Sequence, residues 1–248
     1  MLSYVYITLH SVISRNVQPF DPDATKPRFH PFMRLPHDVR CMILKKIILT
    51  QNIRAYLGSK RVGIQLPTIA YAGNTQLRRE CLLVALNSCT MGIHSGPGNE
   101  RLRKWLAGVD FTGVGTACET GFDATTSLTF PYFSCFPYWQ QAIMVNNAVG
   151  LAVVCRNLRR ISICFSSGPL DRIASQFRGR DGEFELAAAG IRENYQLDGL
   201  LGAKKLERIH VKANGFEYAM AGVREMVAWF EREFERRGQR VSIKLTHW

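Results

Sequence analysis

Two stretches, "LRRISICF" (residues 158–165) and "LERIHVKA" (206–213), carry one pattern, Leu-x-x-Ile-x-Ile/Val, 48 residues apart. Apolar residues on every second position predict strands. Between them runs a helical pattern. A second one follows, with Met220, Val223, Val227, Phe230 and Phe234 at three- and four-residue spacings and Gly238 just past its end. The segment "RVSIKL" then repeats the strand alternation. Strands joined through helices pair in parallel, and right-handed crossovers make sequential strands neighbours. The expectation is that Ile161, Ile209 and Ile243 lie on adjacent parallel strands of one sheet. L-x-x-I-x-I is also the form of the inner strand of a leucine-rich-type repeat. The 48-residue interval is about twice the usual one, and two ordinary buried strands read equally well.

The remainder alternates in the same way, so the fold class is α/β. "NTQLRRECLLVALNSC" is helical, with Leu77, Cys81, Val84 and Leu86 in phase. "MGIHS" is a short strand. "GPGNERLRKWLAGV" is a helix with Asn99 as N-cap and Leu102, Trp105, Leu106 and Val109 inward. "SLTFPYF" is a strand stopped by Pro131, and a helix through "YWQQAIMVNNAVGLAVVC" precedes "LRRISICF". "SSGPLDRIASQFRGRDGEFE" reads as polar loop, and a further helix ends near Leu201. Closer to the N-terminus, "RVGIQLPTIAY" reads as a strand or an apolar linker.

The opening "MLSYVYITLHSVISR" lacks a basic leader and a cleavage site, and is too short and polar to span a bilayer. "PFDPDATKPRFHPF", with four prolines, reads as linker. Residues 1–31 are therefore expected to be a peripheral extension, 32–50 a helical segment, and 51–248 an α/β interaction domain. In the helical segment Pro36 suits a first turn. Val39, Met42, Ile43, Ile47 and Leu49 form one apolar sector. Leu44 and Ile48 form another, with Arg40, Lys45 and Lys46 between them. A helix apolar on two sides needs cover on two sides.

Three segments together resemble the F-box-like proteins of filamentous fungi. They are Phe32 with Leu35-Pro36, Asp38, Val39, Arg40 and the run to Leu49; then "NTQLRRECL" (74–82) followed by "MGIHS" and "LRKWL"; then "SLTFPYF" and "NLRRISI". The match covers residues 32 to about 165. It implies that the first helix docks on the adaptor subunit of a cullin–RING ubiquitin ligase while the rest of the chain holds a protein substrate. Leu35, Pro36, Val39 and Ile43 would form the adaptor face, with Leu44 and Ile48 as a second candidate docking sector. A full F-box continues into two more short helices. Here "TQNIRAYLGSKRVGIQLP" follows, so core and docking roles both stay open for this helix.

Chemical signatures are sparse. The formal net charge is +12 in 248 residues. Such an excess suits solubility, acidic partners or nucleic acid, but aromatics do not alternate with the basic residues as in a stacking platform. The seven cysteines show no C-x-x-C and no zinc spacing, which reads as reduced, buried thiols in a cytoplasmic or nuclear protein. "VDFTGVGTACETG" loosely resembles a methyltransferase glycine loop, yet it follows a helix rather than a strand and reads as plain loop. "HSGPGNERLRK" is a helix start near basic residues, without P-loop form. We expect no catalytic residue, no metal site, no cofactor and no membrane association. The function expected is protein interaction, with nucleic-acid association as the alternative and a Rossmann-like methyltransferase third.

Overall fold

A computed structural model describes residues 30–50, 55–57, 64, 66–71, 74–133 and 146–247. The chain divides into two compact units, Met1–Pro36 and His37–Trp248. Within the first, α1 (His30–Met33) is a single turn, and the Leu35 amide donates to the Phe32 carbonyl. The extension expected over residues 1–31 lies almost wholly outside the described residues. The boundary between the two units falls after Pro36. The helix that starts at His37 is therefore the first element of the larger unit.

The larger unit begins with α2 (His37–Thr50), β1 (Ala55–Leu57), α3 (Thr75–Ser88), β2 (Met91–Ile93), α4 (Gly96–Ala107), α5 (Gly121–Ala124) and β3 (Ser127–Phe130). It continues with α6 (Asn147–Val154), β4 (Arg160–Phe165), α7 (Ser167–Ser175), α8 (Glu183–Tyr195), β5 (Arg208–Ala213), α9 (Glu217–Arg236) and β6 (Ser242–His247). All six strands pair in parallel, in the order β1-β2-β3-β4-β5-β6. The register sets Ile161 opposite Ile209 and Ile209 opposite Ile243, so the three C-terminal strands are adjacent as the alternation predicts.

Burial follows that alternation. Ile161, Ile163 and Phe165 of β4 and Ile209, Val211 and Ala213 of β5 are buried, and the residues between them are not. The inward set joins one apolar core with residues of α3, α4, α6, α7, α8 and α9. One sheet face therefore carries the helices. Aromatics fill its centre, where Phe133 and Phe165 meet edge to face at 5.3 Å and both abut Tyr195.

The shared sequence pattern corresponds to a shared backbone device. The Leu158 amide bonds the Cys155 carbonyl, and Leu206 bonds Ala203, forming one turn before each strand. A third copy is present: Thr125 bonds Phe122 in the same position before β3. Thr125 stands where the pattern has Leu, so the sequence does not announce it. Each strand entrance then passes a carbonyl to the next. Thr126 accepts from Arg159 and Arg160, Arg159 accepts from Glu207 and Arg208, and Glu207 accepts from Ser242.

Other sequence expectations shift. The segment read as polar loop contains α7, because Leu170, Ile173 and Ala174 are buried at helical spacing among Ser, Gly, Pro and Arg. Pro169 is tolerated there in the first turn. The N-cap of α4 is Ser95, whose hydroxyl accepts from the Gly98 amide; Asn99 lies inside the helix, fully buried. "RVGIQLPTIAY" falls partly outside the described residues, and its end forms a short 3-10 turn, Thr68–Tyr71. The described part of the helix before β4 starts at Asn147, capped by the Asn146 side chain.

Packing between α4 and α5 leaves no room for a side chain at Gly121. A Cβ there would lie 2.8 Å from the Leu106 carbonyl oxygen and 2.9 Å from a Leu106 methyl. Gly121→Ala is expected to destabilise the protein by roughly 1–3 kcal/mol through overpacking. A lowered urea midpoint at unchanged slope would show it.

Candidate functional site

The site question centres on α2, which is apolar on two sides. Its inner side is set by a charge. Arg40, 6% exposed, donates from Nε to Glu80 Oε2 at 2.8 Å and from Nη2 to Oε1 at 2.5 Å. Glu80, 0% exposed, projects from α3. Gln76 donates to Oε1 at 3.1 Å, and His37 Nδ1 lies 3.3 Å from it. Burial alone would raise the Glu80 carboxyl. The hydrogen bonds from Arg40, Gln76 and His37, with the Arg40 charge, outweigh burial and hold the carboxyl below its ordinary 4.5. The two segments that carry the family resemblance, "LPHDVR" and "NTQLRRECL", thus meet in one buried ion pair.

That pair fixes the rotation of α2. Leu44 and Ile48, one and two turns on from Arg40, are 0% exposed and belong to the core. They do not form the open docking sector expected of them. The reason is their helical phase with Arg40, which faces α3. The outer side instead carries Val39, Met42, Ile43 and Leu49, with Met42 71% and Leu49 54% exposed, and with Lys45 and Lys46 exposed beside them. Two expected docking residues, Val39 and Ile43, therefore sit on the open face. Leu35 is half-buried and Pro36 exposed, both in the smaller unit.

The glycine segment is a clamped loop. Asp110 and Thr120 form an antiparallel bridge, and Gly113 and Gly115 adopt φ of 79° and 82°. Arg79, from the same α3 segment as Glu80, donates to the carbonyls of Asp110 and Thr112 and to the Asp110 carboxylate. The carbonyls of Asp110 and Thr112 are thus occupied by the protein's own guanidinium. The described cysteines are free thiols. Burial pushes Cys81 up to about 12, and Cys155 likewise up to about 12, so neither offers a thiolate near neutral pH. Among the described residues no group of His, Cys, Asp or Glu is arranged to hold a metal ion. No described helix is long and apolar enough to cross a membrane.

A second surface is the sheet face that carries no helix among the described residues. It presents Thr129 of β3, Arg160, Ser162 and Cys164 of β4, Arg208, His210 and Lys212 of β5, and Lys244 and Thr246 of β6, all in register, while Ser127 at the start of β3 is buried. His210 faces away from Ile209 and Val211, as its phase predicts, and its Nε2 lies 2.8 Å from Thr246 Oγ1. Burial, then Lys212 and Lys244, hold its pKa below the ordinary 6.5. Sequence reasoning singles out none of the lysines and arginines on this face. The signal is available, because each occupies the polar phase of a strand.

The sequence matches no family model, and no curated protein or solved structure shows significant similarity to it.

Truncating one member of the buried pair leaves the other uncompensated. Arg40→Met is expected to cost roughly 3–5 kcal/mol, and Arg40→Met/Glu80→Leu to recover most of that loss. Urea unfolding of the two variants beside wild type measures it. Because the folded Glu80 pKa is depressed, its contribution is complete above pH 4.5 and disappears as pH falls through the folded value. A wild-type acid-unfolding curve should show this decline, and Glu80→Gln, already destabilised at neutral pH, should show less of it.

Proposed function

We propose that the chain is a non-catalytic protein-interaction module that docks through the outer face of α2 on the adaptor subunit of a cullin–RING ubiquitin ligase. The observation that carries this reading is the division of α2. One side is locked to the body by Arg40–Glu80, and the other presents Val39, Met42, Ile43 and Leu49 beside Lys45 and Lys46. A helix with one anchored side and one apolar open side suits the helix-in-groove mode, with anchors at i, i+3 and i+4. The resemblance of residues 32 to about 165 to fungal F-box-like proteins names the partner. Among the described residues α2 is followed by a strand of the sheet rather than by two further F-box helices, so docking rests on this helix.

Sheet topology supports an interaction role over a cofactor enzyme. Dinucleotide-type sites form where the strand order reverses and opens a crevice. The described order runs monotonically from β1 to β6. Such a module acts in the cytoplasm or nucleus, where the ligase assembles. A second reading, association with nucleic acid, rests on the formal net charge of +12.

The test is capture of purified adaptor by the immobilised full chain. Val39→Ser/Met42→Ser is expected to leave the thermal melt within a few degrees of wild type, since exposed substitutions typically cost up to about 0.5 kcal/mol each, while abolishing capture. Leu44→Ala/Ile48→Ala is expected to cost roughly 2–5 kcal/mol for each residue. Wild type that captures no adaptor, or an outer-face variant that still captures it, overturns the proposal.

A further inference from the structure

We infer that the helix-free face of β3–β6 is a docking surface for an acidic peptide segment of a partner protein. The argument rests on cations that the fold leaves without counter-charges. Arg160 lies directly opposite Arg208. Like charges directly opposed on one sheet face are destabilising. Several arginines elsewhere take a carboxylate partner: Arg159 with Glu207, Arg192 with Asp198, Arg224 with Glu217, Arg232 with Glu225 and Arg236 with Glu233. Arg160, Arg208, Lys212 and Lys244 have no such partner among the described residues. No Asp or Glu occupies a strand position of β3–β6.

Charge complementarity therefore fixes the sign of the occupant, and the side chains between the cations fix its class. They are Thr129, Ser162, Cys164 and Thr246, small groups that accept an extended chain close to the sheet. Among the described residues the face holds no Phe, Tyr or Trp on which bases could stack, and single-stranded nucleic-acid platforms depend on such rings. With strands about 4.8 Å apart and about 3.3 Å per residue, the rows from Arg160 to Lys212 span a patch of roughly 15 Å by 13 Å. That accommodates several carboxylates of one peptide. Burial first, and then Lys212 and Lys244, hold down the His210 pKa, and the two lysines accord with this reading. The surface is separate from α2, and either proposal can fail alone.

The test is fluorescence anisotropy of the full-length protein with a labelled twelve-residue Asp/Glu-rich peptide at low and physiological salt. Single-stranded and duplex oligonucleotides serve as parallel probes. Arg160→Gln/Arg208→Gln/Lys244→Gln is expected to weaken saturable peptide binding about tenfold or more, each exposed contact contributing a factor of a few. Lys104→Gln/Arg178→Gln/Arg180→Gln removes the same charge from the helix side and should change binding less than about twofold by the same reasoning. Val39→Ser/Met42→Ser should leave peptide binding intact. Absent saturable binding, equal loss in both charge variants, or tighter binding of an oligonucleotide than of the peptide would each overturn the inference.

Discussion

The Arg40–Glu80 pair is the interaction on which the N-terminal half depends. Glu80 projects from α3 between Leu77, Cys81 and Val84, where an unpaired carboxylate would carry a large desolvation cost. Arg40 answers it with two hydrogen bonds, and Gln76 and His37 occupy the remaining acceptor capacity. A buried ion pair is weak support for net stability, since well-packed apolar residues often do as well. Its consequence here is orientation. The α2 sequence offers two apolar sectors, and hydrophobicity alone does not choose between them. The guanidinium chooses, because it must face Glu80, and that turns Leu44 and Ile48 inward and Val39, Met42, Ile43 and Leu49 outward.

The same α3 surface organises what comes next. Arg79, one residue before Glu80, reaches the Asp110–Thr112 corner and fastens the glycine loop. Asp123 and Thr120 close the start of α5 with reciprocal hydrogen bonds, forming a capping box. The turn at Phe122–Thr125 then delivers the chain into β3. One helix segment, "NTQLRREC", thus fixes α2 on one side and leads the chain toward the sheet on the other.

Much of the fold is legible in the sequence. Helices and strands appear as alternation of period, and the parallel neighbours at Ile161, Ile209 and Ile243 follow from the connections between them. Less legible are features whose signal lies in pairs distant in sequence. Glu80 reads as an ordinary polar residue of a helix until Arg40, forty positions earlier, is placed beside it. Which sector of α2 stays open escapes sequence reasoning for that reason, since choosing between Leu44/Ile48 and Val39/Ile43 needs knowledge of which side faces α3. The α7 helix is hidden because its inward residues, Leu170, Ile173 and Ala174, are few and lie among turn-forming types. The third copy of the strand-entrance turn is hidden because Thr125 replaces the leucine while the backbone bond persists.

The open sheet face has a sequence signature of its own. All-parallel sheets usually carry helices on both faces, and their strands then read as near-continuous apolar runs. β4 and β5 do not. Their residues alternate, "RISICF" and "RIHVKA", with Arg, Ser, Cys, His and Lys in every second place. In a parallel sheet such alternation means that one face is left without helices. The sequential strand order agrees, because crossovers of one hand between neighbours taken in order place every helix on the same side. The polar phase of these strands is therefore already a statement about surface. Its content, four cations without a carboxylate among the described strand positions, distinguishes it from α9, where Arg224, Arg232 and Arg236 are each met by a glutamate within two turns. A fold that neutralises charge along α9 and leaves it opposed across β4 and β5 keeps a positive potential where the backbone presents it as a flat, regular array.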